Sequence, residues 1–96
     1  MKILLIEDNE MIIKALKYLL ESHEYYVDVA TSIKEAKEKI TNTYDLIILD
    51  VMLPDGNGLD FFKEYVSTPA LVLSAKDEEK DVVKAIDLGV QDYIIK

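Results

Sequence analysis

Acidic, hydroxyl and amino groups stand at the ends of short apolar runs. Glu7 and Asp8 follow Ile3-Leu4-Leu5-Ile6, Asp50 follows Leu46-Ile47-Ile48-Leu49, Ser74 follows Ala70-Leu71-Val72-Leu73, and Lys96 follows Tyr93-Ile94-Ile95. Runs of this kind, bounded by polar or Pro/Gly residues, read as strands buried on both faces. Residues just past the strand ends occupy the edge where open α/β sheets bind ligands. Burying a charge there is costly unless a cation or hydrogen bonds meet it. Asp50 is therefore expected to be exposed at a site, or to belong to one. Gathered carboxylates repel one another, which a hard divalent cation relieves. All-oxygen ligands suit Mg²⁺ better than a soft metal. A carboxylate in that setting can attack phosphorus and become an acyl phosphate. Metal, hydroxyl and lysine would then offset the charge on the transferring group.

The elements that must position these groups alternate along the chain. Ile3 to Ile6 reads as a strand, followed by the acidic loop Glu7-Asp8-Asn9-Glu10. Met11 to Leu20 carries apolar residues at helical spacing, with Asp8 or Asn9 as the N-cap. His23 falls at the end of that helix, and is read as a surface residue there. Tyr26 to Ala30 is rich in β-formers. Ser32 and Glu35 fit the S-x-x-E capping box of a second helix that carries Ile33, Ala36 and Ile40. The Asp50 strand is third and ends in the loop Pro54-Asp55-Gly56-Asn57-Gly58. A short helix follows from Gly58 to Tyr65, then a strand at 70–73 and a helix at 77–88 with Gly89 at its C′ position. A fifth strand is expected around Tyr93-Ile94-Ile95. Strand–helix alternation implies a parallel sheet with right-handed crossovers, covered on both faces. All C-terminal strand ends then share one edge, so groups distant in sequence converge.

Composition narrows the function. A chain of 96 residues makes one small domain, here 50% hydrophobic and so able to build a core. Eleven basic against nineteen acidic residues leave a net charge of −8, which argues against direct nucleic-acid or anionic-membrane binding. With no cysteine there is no disulfide, zinc-thiolate site or cysteine nucleophile. No apolar run nears the roughly 20 residues of a membrane span, and a cytoplasmic location is expected.

Four segments together resemble the receiver domain of a two-component response regulator. They are Ile6-Glu7-Asp8-Asn9-Glu10, Asp50 through Gly58, Leu73-Ser74-Ala75-Lys76, and Leu88 through Lys96. The resemblance covers essentially the whole chain, 1–96. It implies the flavodoxin-like (CheY-like) doubly wound α/β fold, a five-stranded parallel sheet in the order 2-1-3-4-5. It implies that Asp50 takes a phosphoryl group from a sensor histidine kinase. By the same resemblance Asp8 and Asp50 bind Mg²⁺, with Glu7 through water and the Met52 backbone carbonyl as a further ligand. Ser74 would bond the phosphoryl group, Lys96 would pair with one of its oxygens, and Tyr93 would turn inward when Ser74 moves. Ala75 leaves room for the donor, and Met52 and Lys76 occupy positions that tune dephosphorylation. The Asp77-Glu78-Glu79-Lys80-Asp81 run before Leu88-Gly89 resembles receivers that dimerise and carry a winged-helix DNA-binding domain.

Plainer readings stand beside these. Taken singly, Glu7-Asp8 is a solvated helix start, Ser74 a helix-region polar residue, Lys96 a solvated lysine and Tyr93 core packing. Receivers continue beyond the lysine with a proline and a final helix. By that measure the chain is expected to be an incomplete receiver, with one sheet face partly uncovered and lower stability. A receiver fragment with an unused site, and an aspartyl-nucleophile phosphatase, are the alternatives. Such phosphatases usually place a second acid two residues after the nucleophile, where this chain has Met52.

Overall fold

A computed structural model describes residues 1–65, 68–74 and 92–95, with Ser74 and 92–95 described by backbone alone. Its elements are β1 (Lys2–Ile6), α1 (Glu10–Ser22), β2 (Tyr26–Ala30), α2 (Ile33–Lys39), β3 (Leu46–Asp50), β4 (Met52–Leu53), β5 (Gly56–Asn57), α3 (Gly58–Tyr65), β6 (Ala70–Ser74) and β7 (Asp92–Ile95). Five strands form one sheet in the order β2-β1-β3-β6-β7, every pairing parallel. Counting the long strands alone, this is the expected order 2-1-3-4-5. The expected helix at 77–88 and Gly89 lie outside the described residues.

Alternate side chains of β1 serve opposite faces, as strand geometry requires. Leu4 and Ile6 join Ala36, Ile47, Leu49, Phe61 and Phe62 in the cluster beneath α2 and α3. Ile3 and Leu5 join Val27, Ile48 and Leu73 beneath Ile13, Leu16 and Leu20 of α1. Both faces of β1 are thus fully buried, each such residue contributing on the order of 1.5–3 kcal/mol. The two helical layers differ. Helix α1 has no fully buried residue, whereas α3 buries Gly58, Leu59, Phe61 and Phe62.

Local chemistry sets the helix ends. Asn9, rather than Asp8, caps α1: its side chain accepts from the N–H groups of Met11 and Ile12 at 3.0 and 3.2 Å. At the far end of α1, Tyr25 N–H reaches the Leu20 carbonyl and Glu24 N–H that of Glu21, at 3.2 and 2.9 Å. This is a Schellman closure with Glu24, at φ 67°, where glycine is usual. His23 sits exposed at the C-cap, as read from the sequence.

Ser32 caps α2 by accepting from Glu35 N–H at 3.1 Å. Glu35 does not complete the expected box on Ser32; its carboxylate accepts from Thr31 N–H and Oγ1 at 2.8 and 2.9 Å. Those bonds hold its carboxyl below the usual range, the backbone one most strongly. Strand β2 lies at the sheet edge. There Lys39 Nζ donates to the Val29 carbonyl.

Candidate functional site

Parallel pairing brings Glu7, Asp50 and Ser74 to one edge. Ile6 of β1 pairs with Leu49, Asp50 with Leu73, and Ser74 with Ile95, so β1, β3, β6 and β7 all end on the same side. Glu7 continues directly from β1, its N–H donating to the Ala30 carbonyl at 3.0 Å. Asp50 is the last residue of β3.

Glu7, Asp8 and Asp50 converge there. One carboxylate oxygen from each lies within 4.8 Å of the other two. Asp8 is exposed, while Glu7 and Asp50 retain 0% and 4% of their surface. The first of the two expectations for Asp50, exposure, therefore fails; its place in this carboxylate cluster is consistent with the second, membership of a site. Burial follows from its place: it still belongs to a strand paired on both sides, and the next turn folds over it. Glu7 belongs by sequence to a polar loop, yet it turns inward. Its Oε2 accepts from the N–H groups of Asp8 and Asn9 at 3.1 and 3.3 Å, bonds that offset part of the cost of burying the charge. A ring of hard oxygen donors, some buried and one open to water, fits a small divalent cation better than a thiophilic one.

The turn after Asp50 is more ordered than a Pro/Gly loop needs to be. Met52 and Leu53 pair antiparallel with Asn57 and Gly56. Gly58 N–H donates to the Val51 carbonyl at 2.6 Å and closes the base of this hairpin. A Cβ on Gly58 would meet the Asp50 carbonyl oxygen at 2.0 Å, so only glycine lets α3 start this close to the acid. Asn57 caps α3 through Leu59 and Asp60 N–H at 2.8 and 3.3 Å. Met52 follows Asp50 by two residues, its N–H 3.4 Å from Asp50 Oδ1 and its side chain 77% exposed at the rim.

Of the other predicted residues, Ser74 ends β6 beside β7, and Tyr93 lies within β7 in register with Val72. Their side chains, and Ala75, Lys76 and Lys96 entirely, lie outside the described residues. Sequence reading missed Asp55. Its two oxygens accept from Ile33 and Lys34 N–H at 2.8 and 3.0 Å, tying the hairpin to α2. No local pattern signals a bond spanning 22 residues. Among the described residues no helix is long and apolar enough to cross a membrane.

Comparison with known proteins agrees with this architecture. The family model described as the response regulator receiver domain matches residues 3–96. The alkaline phosphatase synthesis transcriptional regulatory protein PhoP of Bacillus subtilis is 43% identical over 100 residues, 99% of this chain and 42% of that protein. A crystal structure of a two-component response regulator from Clostridium difficile superposes with a TM-score of 0.94 at 34% identity, covering 99% of this chain and 82% of that one. Another, from Burkholderia pseudomallei, contains a phosphorylated aspartic acid and a calcium ion; it gives a TM-score of 0.91 at 26% identity over 99% of this chain and 59% of that one. The chain spans less than half the length of the curated relatives it matches, 45% of one and 42% of another. With sheet order, acidic edge and sequence in agreement, the chain belongs to the response regulator receiver domain family.

Proposed function

We propose that residues 1–96 act as one phospho-acceptor switch domain in which Asp50 receives a phosphoryl group from the phosphohistidine of a sensor kinase. The observation that carries this reading is the meeting of Glu7, Asp8 and Asp50 within 4.8 Å at the C-terminal edge of the sheet. Asp8, Asp50 and the Met52 carbonyl would hold Mg²⁺, with Glu7 reaching it through water; bound there, the ion neutralises charge on phosphoryl oxygens. Every donor in that set is a hard oxygen, and the Burkholderia relative carries a divalent ion together with its phosphoaspartate.

The chain's own residues do the rest. A carboxylate oxygen of Asp50 forms the bond to phosphorus as the donor's P–N bond breaks, and the bonding pair leaves on the imidazole nitrogen. Burial of Asp50 restricts water at the nucleophile. Glu7 keeps its loop shaped by accepting from two backbone N–H groups. Ser74 and Lys96 would bond the transferred group, and Tyr93 would follow Ser74. The response would be a population shift of the 77–95 face. The domain would turn over no separate substrate. Its readout would be transcription through a DNA-binding domain, with the receiver itself making no nucleic-acid contact, acting in the cytoplasm and pairing with a second copy.

Incubation with acetyl phosphate or beryllofluoride, read by mass spectrometry or NMR, tests the reading. The expected result is a Mg²⁺-dependent adduct in the wild type and none in Asp50→Asn. An adduct that persists in Asp50→Asn, or a wild type that does not respond to Mg²⁺, overturns it.

A further inference from the structure

The geometry points to Asp55 as a positioning residue that sets the cation affinity of the Asp50 site, an inference that rests on the phospho-acceptor reading above. Asp55 is exposed and stands at the tip of the hairpin that follows Asp50, through which it acts. That hairpin carries Met52 on one arm and Asn57 on the other. Its base is fixed by Gly58 N–H on the Val51 carbonyl and by the Asn57 cap on α3. Its tip is tied to α2 by Asp55, whose carboxylate spans the first two free N–H groups of that helix.

Gly56 shows how close this docking is. At φ +154° its missing Cβ would fall 2.7 Å from Ile33 Cδ1, in the first turn of α2. Helix α2 is a firm post: Ala36 is fully buried, and Ile33 and Ile40 pack on the core. A chain of contacts thus runs from the core through α2, Asp55 and the β4–β5 pair to Met52, two residues from Asp50.

Mg²⁺ demands near-ideal octahedral geometry, so a ligand on an untied turn binds it less well. Asp50 itself belongs to β3 and does not depend on the tie. Loss of Asp55 should therefore weaken Mg²⁺ binding while leaving the reactivity of the loaded site intact. Supporting groups of this kind typically alter metal affinity about 10- to 100-fold.

The test compares wild type, Asp55→Ala, Asp55→Asn and Ser32→Ala, the last removing the separate cap of α2 and leaving the hairpin tie. Mg²⁺ is titrated against amide NMR shifts, and hydrogen exchange of the Ile33, Lys34 and Asn57 amides is measured without metal. In Asp55→Ala the Mg²⁺ dissociation constant should rise about tenfold, with faster exchange at all three amides. Labelling by acetyl phosphate at saturating Mg²⁺ should stay within about twofold of wild type. Asp55→Asn, which keeps one acceptor oxygen, should fall between, and also serves if the alanine variant does not fold. Ser32→Ala should leave the Mg²⁺ titration unmoved. A wild-type titration in Asp55→Ala, or an equal shift in Ser32→Ala, overturns the inference alone. A wild type that ignores Mg²⁺ overturns the phospho-acceptor reading and this inference with it.

Discussion

At the end of the sheet where β1 and β2 begin, Lys2 Nζ lies 5.6 and 5.1 Å from the ring centroids of Tyr26 and Tyr44. Tyr44 donates its hydroxyl to Asp28 at 2.7 Å, and Lys2 N–H donates to Asp45 at 2.7 Å. At the opposite end, just past the close of the same β1, three carboxylates share a space 4.8 Å across. One end disperses its charges among unlike partners and aromatic faces, an arrangement that favours the folded state without any ligand. The other concentrates like charges, two of them buried, an arrangement whose mutual repulsion costs stability and which a bound cation would relieve. A single sheet thus holds a stabilising end and a responsive end, and the second can be strained because the first and the core are not.

The steepest test of this contrast is Gly58→Ala at the responsive end. A methyl group placed 2.0 Å from the Asp50 carbonyl oxygen must displace backbone. A loss of about 3 kcal/mol or more is expected in chemical denaturation. A smaller loss would show that the turn over Asp50 yields easily. Next comes metal. Wild type should gain about 2.7 kcal/mol when Mg²⁺ is raised from zero to 100 times its dissociation constant. In Asp50→Asn that gain should shrink, while the metal-free protein becomes more stable than wild type because one like charge is gone. A metal-free Asp50→Asn less stable than wild type would break the comparison.

Tyr44→Phe addresses the stabilising end and should cost about 1–2 kcal/mol with no change in the Mg²⁺ response. The same group gives a pH signature. Burial first, then the bond to Asp28, pushes the Tyr44 hydroxyl up to about 12. A raised folded-state value means its contribution is complete below the unfolded value of about 10. It is then lost as pH climbs toward 12. Alkaline titration of stability should show that loss in wild type and not in Tyr44→Phe. The smallest effect is expected at Glu24, whose φ of 67° suits glycine. Glu24→Gly should stabilise by about 0.5–1 kcal/mol, again without touching Mg²⁺ binding.

Features written in consecutive residues were legible beforehand. The apolar runs marked the strands, and their common edge placed Glu7, Asp8 and Asp50 together, because parallel topology leaves little choice. Asn9 stood as one of two cap candidates for the same reason: capping is decided within three or four residues. What escaped depends on distant partners. Ser32 and Glu35 matched a capping box, yet Thr31 took the glutamate and Asp55 took the free N–H groups of α2. The hydroxyl of Tyr44 finds Asp28 only once β2 lies beside β1. The burial of Glu7 and Asp50 is not written in any local pattern, because a charged residue is ordinarily placed in water, and the turn that covers Asp50 owes its shape to Gly58, not to an apolar run.

Strand β2 is also the last strand on its side of the sheet. Ala30 directs its carbonyl inward to Glu7 N–H, so by alternation the Val29 carbonyl faces outward, and that is the oxygen Lys39 Nζ takes. An open strand edge is a template on which further chains can add as cross-β layers. Here an approaching strand meets an ammonium group in place of a free acceptor. Lys39 thus covers one acceptor on this edge, and Lys39→Ala is expected to raise aggregation, read by light scattering, with little change in the circular dichroism of the fold.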